Sequence, residues 1–465
     1  MSFSMDIEKL KQKILDLAIR GKLVPQDPND EPASVLIEKI KKEKNELIKQ
    51  GKIKPSKDDS YIYKGSDNCY YEKKKDDIKN LNSEIPFSLP KNWMWVRIGN
   101  YANVITDYVA SGSFASLNEN VTYYKENNYA ILVRTCDFKT NFSKDLVYTD
   151  KHGYDFLKNS NLFGGELLLS NIGASIGKVF LVPHLNKKMT LAPNSIMVKT
   201  VNEQLNVYLS YIFKSSYGQS ILQNISFSSA QAKFNKTDFR KILIPIPPLN
   251  EQLRIINQLN LINEKISIIN DNSIEISNII NTIKIKILDS YFGEDSSYKS
   301  YYENCLLQSH TKIIMGQSPK VVLNENIANS IEFHQGKLMF TKNEIDYSNK
   351  YTINPCKKTN GHSILLCVRA PVGILNYCNR KIAIGRGLCS IEPSTNVDLD
   401  YLYFWLLYLN KYFIDKSTGS TFSAITIGTI KNAPFKYCSL EIQHEIKTKI
   451  RELFNSLDII KEQII

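Results

Sequence analysis

A glycine–lysine loop, a proline pair, six histidines and eight cysteines are the places where this chain could carry chemistry. Gly173-Ala-Ser-Ile-Gly-Lys178 has the outline of a loop whose backbone N–H groups and lysine cradle phosphates. Its glycines stand one residue too close, however, and Val179 replaces the hydroxyl side chain such a loop needs. Adenine methyl transfer would use an Asn/Asp-Pro-Pro-aromatic loop, but Pro247-Pro248 is followed by Leu249. No hydrolase nucleophile, zinc-protease motif or dinucleotide fingerprint is assigned. His152, His184, His310, His334, His362 and His444 form no cluster along the chain. Among the cysteines, Cys356, Cys367, Cys378 and Cys389 recur evenly at a spacing that matches no zinc site. Several lie in apolar runs such as Ile364-Leu-Leu-Cys-Val368, where a free thiol behaves as a small hydrophobe. The reading assigns no metal and no catalytic residue, and points to a binder.

The chain has 465 residues, 43% apolar and 23% charged, in the range of a globular protein of several domains. Its net charge of +12 attracts polyanions, and 26 tyrosines add flat, hydrogen-bonding surface suited to nucleic acid. The competing reading of that charge is a solvated surface. No apolar run reaches the roughly 20 residues needed to span a bilayer, and Met1-Ser-Phe-Ser-Met-Asp-Ile-Glu-Lys9 lacks a secretory apolar core. A soluble, cytoplasmic protein is expected.

An internal repeat organises these residues. Gly165-Glu-Leu-Leu-Leu-Ser-Asn-Ile-Gly-Ala-Ser-Ile-Gly177 returns as Gly361-His-Ser-Ile-Leu-Leu-Cys-Val-Arg-Ala-Pro-Val-Gly373, each reading as strand, turn, strand. Val207-Tyr-Leu-Ser-Tyr211 pairs with Asp400-Tyr-Leu-Tyr-Phe404, each opening an aromatic helix. Leu249-Asn-Glu-Gln252 pairs with Leu440-Glu-Ile-Gln443. The expected organisation is an N-terminal helix, connector and charged insert at 1–92, α+β modules at 93–248 and 298–438, a central helix at 249–297 and a C-terminal helix at 439–465.

After the first module, Ile255, Leu259, Ile262, Ile266, Ile269, Ser273, Ile276, Ile280, Ile283 and Ile287 step alternately by four and three. That is a coiled-coil seam interrupted at Ser273, on a helix on the order of 50 Å long. Ile446, Ile450, Leu453, Leu457, Ile460 and Ile464 repeat its first half, and Phe3, Ile7, Leu10 and Ile14 repeat its second. The pattern predicts a circularly permuted pseudo-twofold pair: two globular modules separated by two long antiparallel helices. Outside the repeat, Gly21 to Pro32 reads as a proline-punctuated connector and 33–50 as a charged helix. Residues 52–84, rich in lysine and aspartate, read as a mobile or partner-ordered insert.

Several stretches resemble type I restriction–modification specificity subunits. Ile244-Pro-Ile-Pro-Pro-Leu-Asn-Glu-Gln-Leu-Arg-Ile255 is similar to that family's junction between recognition domain and conserved helix. Leu15-Asp-Leu-Ala-Ile-Arg-Gly-Lys-Leu-Val-Pro-Gln-Asp-Pro-Asn-Asp-Glu-Pro-Ala33 resembles its N-terminal conserved region. Ile85-Pro-Phe-Ser-Leu-Pro-Lys-Asn-Trp-Met-Trp-Val-Arg97 resembles the lead into a first recognition domain, and Gly316-Gln-Ser-Pro319 the entry of a second. Phe435-Lys-Tyr-Cys-Ser-Leu440 departs from the pattern by lacking the double proline.

The resemblance implies a non-catalytic subunit that directs two modification and two restriction subunits to double-stranded DNA. Each module would read half of an asymmetric bipartite target, with the paired helices as spacer and two half-sites at a fixed separation. S-adenosylmethionine, ATP and magnesium would belong to the partners. Phosphate anchors expected on this reading are Lys139, Lys144, Lys151, Lys178, Lys233 and Lys236, with Lys337, Lys357, Lys358 and Arg380 in the second module. Arg134 and Arg369 are the base-reader candidates, because a guanidinium fork matches the two acceptors of guanine. The competing reading for each is a structural ion pair. Ser229, Gln231 and Lys233 in one loop, and Ser420, Thr421 and Ser423 in its repeat, are candidates to reach base edges; the alternative is a capped turn. The long helices' outer faces and the charged helix would dock modification subunits. Two other classes stay open: a stand-alone enzyme with a degenerate site, and a coiled-coil scaffold whose modules bind protein.

Overall fold

The computed structural model describes residues 3–55, 59–226, 232–342, 344–419 and 423–464, with side chains from Ile7 to Gln463. The chain divides into two units, Met1–Ile268 and Ile269–Ile465.

In the first unit, helices Phe3–Ile19 and Ala33–Lys49 precede strands β1 (Tyr61–Lys64), β2 (Tyr70–Lys74) and β3 (Asp77–Asn80). Ten further strands build the module: β4 (Met94–Arg97), β5 (Val104–Asp107), β6 (Ala130–Val133), β7 (Tyr148–Thr149), β8 (Asn161–Leu162), β9 (Leu167–Ser170), β10 (Val179–Leu181), β11 (Lys188–Leu191), β12 (Ser195–Lys199) and β13 (Leu243–Ile246). They form sheets in the orders β10-β9-β12-β5, β7-β6-β11-β8 and β13-β4. All residues of β6 and β9 are buried, as continuous apolar strands covered on both faces should be. Leu167 and Leu169 face the cluster that includes Tyr208, Leu209 and Ile212, while Leu168 joins Met189 and Met197 in a second cluster. Helix Glu203–Lys214 starts where the Asn202 side chain accepts from the Leu205 N–H at 3.1 Å.

The second unit repeats that plan. Its strands are β14 (Glu303–Leu306), β15 (Thr311–Met315), β16 (Ile331–His334), β17 (Tyr351–Thr352), β18 (Ser363–Cys367), β19 (Leu375–Cys378), β20 (Ala383–Ile384), β21 (Leu388–Pro393) and β22 (Pro434–Tyr437). The orders β15-β21-β18-β19, β17-β16-β20 and β14-β22 match those of the first unit strand for strand, without a counterpart of β8 among the described residues. Even the parallel pairs agree, β11 with β6 and β20 with β16. The repeated sequence blocks thus mark β9 and β18 with the turns that follow, while the second strand expected in each, β10 or β19, starts just past the block. Helix Leu399–Tyr408, capped by Asp398, stands where Glu203–Lys214 stands in the first unit.

Each module is tied to the helix that follows it by a buried glutamine. Gln252 Nε2 donates to the Pro247 carbonyl at 3.0 Å, and its Oε1 accepts from the Tyr101 hydroxyl at 3.0 Å. Gln443 Nε2 donates to the carbonyls of Cys438 and Asn396 at 2.8 and 3.0 Å, and its Oε1 accepts from the Asp398 N–H at 2.8 Å. The second junction lacks the double proline yet keeps the joint, because Cys438 supplies the same main-chain acceptor as Pro247. Gln252→Leu and Gln443→Leu strand these partners away from water. Each is expected to cost about 1–3 kcal/mol in chemical denaturation, and full stability of both variants would refute the anchoring role.

Helix Leu249–Phe292 contributes residues to both units. In the first unit its Ile255, Ile256 and Leu259 share a core with Ala18 and Ile19. The connector and the residue before β4 grip the same turns: Trp93 Nε1 and Gln26 Nε2 both donate to the buried Glu251 carboxylate, and Arg254 forks onto Asp30. In the second unit its Leu288 and Phe292 share a core with Ile446 and Ile450, and Lys284 pairs with Asp458 at 2.7 Å.

Two expectations need correction. Ile7, Ile255, Leu259, Ile266, Ile280, Ile446 and Ile450 are buried, and Ile14, Ile262, Ile276 and Leu457 are half-buried. Leu10, Ile269, Ile283, Leu453 and Ile460, by contrast, are exposed. A straight helix drifts about 20° per heptad from a strict seam, so the packing line slips to neighbours: Phe454, not Leu453, meets Phe404 at 5.6 Å. Most of the insert is also ordered structure, from Tyr61 onward. Residues 61–80 form the antiparallel sheet β1-β2-β3, with Ile62, Leu81, Trp95 and Leu243 clustered beneath it. Arg97 of β4 forks onto Glu72 and reaches Glu84, which fastens the sheet to the module.

Candidate nucleic-acid interface

In the second unit, four segments converge at one end of β18. The turn after β18 is held on both sides: the Val368 N–H donates to the Gly387 carbonyl, and the Ala370 N–H to the Ser423 carbonyl, both at 3.0 Å. Ile425 N–H returns to the Val368 carbonyl at 3.0 Å, so the repeat loop is laced to this turn along Arg369 and Ala424. Gly385 N–H donates to the His334 carbonyl at 2.7 Å, which brings in the segment after β16. Gly387 must be glycine here, since a Cβ would lie 2.2 Å from the Gln335 carbonyl oxygen.

Below these turns, Glu332 takes both arms of Arg380 at 2.9 Å, the Ser348 N–H at 2.7 Å and a ring nitrogen of buried His334 at 2.7 Å. Burial alone would raise the Glu332 carboxyl; the Arg380, Ser348 and His334 hydrogen bonds outweigh it and hold the group below the usual carboxylate range. Arg380 also covers the Tyr347 ring at 4.1 Å. The expected phosphate anchor Arg380 is therefore spent inside the module.

Above them the side chains are unpaired. Lys337 and Arg369 line one cavity of about 180 Å³ with Gln335, Pro371 and Gly387. Both are exposed and make no hydrogen bond or ion pair among the described residues. Arg386, between Gly385 and Gly387, is equally exposed and unpaired. Leu338 at the tip is 88% exposed. Sequence reasoning missed Arg386 and Leu338; the Gly-Arg-Gly of 385–387 between two apolar runs was the available signal. Lys357 and Lys358 lie exposed along the β20 edge.

The corresponding turn of the first unit carries different chemistry. Asn171 Nδ2 donates to the Phe234 carbonyl and the Phe234 N–H to the Asn171 carbonyl, at 3.0 and 3.1 Å. Gly173 N–H reaches the Ala232 carbonyl at 2.9 Å, so this turn too is laced to its repeat loop. Gly173 stands where Arg369 stands in the second unit. This stretch does carry the Gly-x-Ser-x-Gly spacing of a nucleophile elbow. Ser175 Oγ, however, meets Ser170 Oγ at 2.6 Å and donates to the Ile172 carbonyl, and no histidine bonds it among the described residues. The turn also joins two strands, whereas an elbow joins strand to helix.

Lys178 and Lys233 project from the two laced segments, exposed and unpaired among the described residues. Lys236 pairs with Asp107 at 2.8 Å and Lys151 with Asp155 at 3.0 Å. Arg134 follows its structural alternative: it forks onto buried Asp137 and reaches the Asp145 carbonyl, closing the loop that displays exposed Lys139 and Lys144. Ser229, Gln231, Ser420 and Thr421 lie outside the described residues. Ser423 contributes its backbone carbonyl to the turn at Ala370.

The fold and these turns define a class: a duplicated α+β module whose laced turns carry exposed cationic side chains. The family model for the type I restriction modification DNA specificity domain matches the chain twice, at residues 90–278 and 314–465, and the chain belongs to that family. It is 26% identical over 345 residues to the putative type I restriction enzyme MjaX specificity subunit of Methanocaldococcus jannaschii, an alignment covering 70% of this chain and 80% of that one. With the EcoEI specificity subunit of Escherichia coli it shares 29% identity over 256 residues, 54% of this chain and 38% of the relative, so it spans well under half of that protein. A chain solved in a study of type I R-M complex assembly and conformational transition shares the fold at TM-score 0.60 and 21% identity, over 82% of this chain and 94% of that one. Among the described residues, no helix is long and apolar enough to cross a membrane.

Proposed function

We propose that this chain is the DNA specificity subunit of a type I restriction–modification assembly, cytoplasmic and without catalytic activity of its own. Each module reads one half of an asymmetric, bipartite double-stranded target. The long helices, paired antiparallel in a circularly permuted arrangement along a coiled-coil seam that slips to neighbouring residues, set the gap between halves. Two modification subunits, which bind S-adenosylmethionine, and two restriction subunits, which use ATP and magnesium, dock on this frame. One observation carries the reading: a single strand order presents two different sets of loop tips, Gly173 and lysines on one module, Arg369 and Arg386 on the other. Two readers on one framework suit a target whose halves differ. Phosphate contacts through Lys178, Lys233 and Lys337 would place each module without choosing bases.

The test is long-read mapping of modified adenine in cells expressing the chain with its cognate modification subunit. A methylated two-part motif with a constant gap, absent when the chain is omitted, is the expected result. Methylation that persists without the chain sinks the reading and leaves a scaffold as the better account.

A further inference from the structure

We infer that Arg369 and Arg386 are the base-reading pair of the second module, and that the half-site it recognises contains guanine. The inference rests on the specificity-subunit reading and goes further by naming the readers and the base.

The chain has nine arginines, all described. Seven donate to a protein acceptor: Arg20 to Asp16, Arg97 to Glu72, Arg134 to Asp137, Arg240 to the Ile105 carbonyl, Arg254 to Asp30, Arg380 to Glu332 and Arg451 to Asp400. Only Arg369 and Arg386 have no such partner among the described residues. They stand on two turns hydrogen-bonded to each other through Val368 and Gly387. An exposed guanidinium is common on surfaces; two unpaired forks on adjacent, laced turns are not an average surface in a chain that pairs every other arginine.

The backbone beneath them is fixed. Arg369 is flanked by the Val368 and Ala370 hydrogen bonds, and Arg386 by glycines that fit directly against β16 and the segment after it, with Cβ positions 2.9 Å from the Phe333 ring and 2.2 Å from the Gln335 carbonyl oxygen. A planar fork on a fixed base can present two parallel donors to O6 and N7 of guanine in the major groove. A lysine, as a mobile point charge, serves a phosphate as well.

Comparison of the modules separates the two tasks. Unpaired exposed lysines occur at the tips of both, Lys178 and Lys233 in one and Lys337 in the other, as contacts to phosphate alone require in either half-site. The arginine forks occur in the second module alone, with Gly173 at the position of Arg369. What is common anchors, and what differs reads.

The test expresses the full chain, wild type or carrying Arg369→Ala, Arg386→Ala or Arg369→Lys, with its modification subunit and maps modified adenine. Each alanine variant should make one guanine position of a single half-site degenerate, with discrimination there falling about 5- to 150-fold, while the other half and the gap stay fixed. Arg369→Lys, which keeps the charge and loses the fork, should relax the same position. Equal thermal midpoints are expected, since neither side chain bonds the protein among the described residues. If methylation falls evenly at all sites with the motif intact, the arginines contact phosphate and the inference fails while the specificity reading stands. An unchanged motif and rate in all three variants overturns it equally. A wild-type chain that yields no split motif removes both.

Discussion

Phe292→Ala is expected to destabilise the second unit by about 3–5 kcal/mol, the usual cost of emptying a large aromatic site. Phe292 ends the long helix with its ring fully buried. Tyr401 and Trp405 meet the ring edge-on at 5.6 and 5.2 Å, and Tyr408 lies 5.7 Å away. These neighbours are themselves held: the Tyr401 hydroxyl donates to the Lys436 carbonyl and the Trp405 indole to the Pro434 carbonyl. A cavity among bonded, bulky rings cannot collapse, which puts the cost near the top of the range. The Phe292 carbonyl accepts from Lys436 Nζ at 2.9 Å, so loosening this end also loosens the terminal helix turn. Hydrogen exchange should show lost protection in Leu399–Tyr408 and β22, with Glu203–Lys214 unaffected. Uniform loss across both units would mean that the units do not open separately.

Arg97→Ala should cost about 2–4 kcal/mol at neutral pH and release β1–β3 to proteolysis. Removing one partner of a buried charge cluster typically costs about 3–5 kcal/mol, and the figure is reduced because Glu84 is 32% exposed. Burial alone would raise the Glu72 carboxyl; hydrogen bonds from Arg97 and Ser60, with the Arg97 charge, hold it below its ordinary value of 4.5. Glu84 behaves the same way, with Lys79 and Arg97 as donors opposing its burial. Because both folded-state values are depressed, their contribution is complete above about 4.5 and is lost as pH falls through the lower folded values. The gap between wild type and variant should therefore be wide at pH 7 and narrow in strong acid. A gap of equal size in urea denaturation at pH 7 and pH 3 would assign the effect to packing.

Much of the framework was legible because it rests on local periodicity. The matched blocks at 165–177 and 361–373 each hold one strand and its turn, with the expected second strand starting just beyond, at Val179 and Leu375, and the Gln252–Gln443 correspondence marks real joints. The insert was misread because β1–β3 are short and lysine-rich, and their stabilising partners, Trp95 and Arg97, lie outside it. The seam failed at Leu453 and Ile460 because a heptad count assumes a supercoil that the helix need not follow. Among the site candidates, the Arg134–Asp137 pair was readable from an acid three residues on. Arg380 was not, since Glu332 lies far away along the chain. Arg369 and Arg386 could be told from the other arginines only once every partner was placed.

The glutamine joints have a consequence for how such a protein changes over time. At the second joint Gln443 bonds main-chain groups alone, from Cys438, Asn396 and Asp398, which almost any residue can present. At the first, Pro247 is met through its carbonyl, and the Tyr101 hydroxyl is the one side-chain group involved. The joints taken alone are nearly blind to side-chain identity. The apolar seats beside them are not, since Ile255 and Leu259 share a core with Tyr208 and Ile244, and Leu288 and Phe292 with Tyr401 and Trp405. A module exchanged at Leu249–Gln252 or Leu440–Gln443 would keep the joint on any loop sequence but would have to bring matching core residues with it.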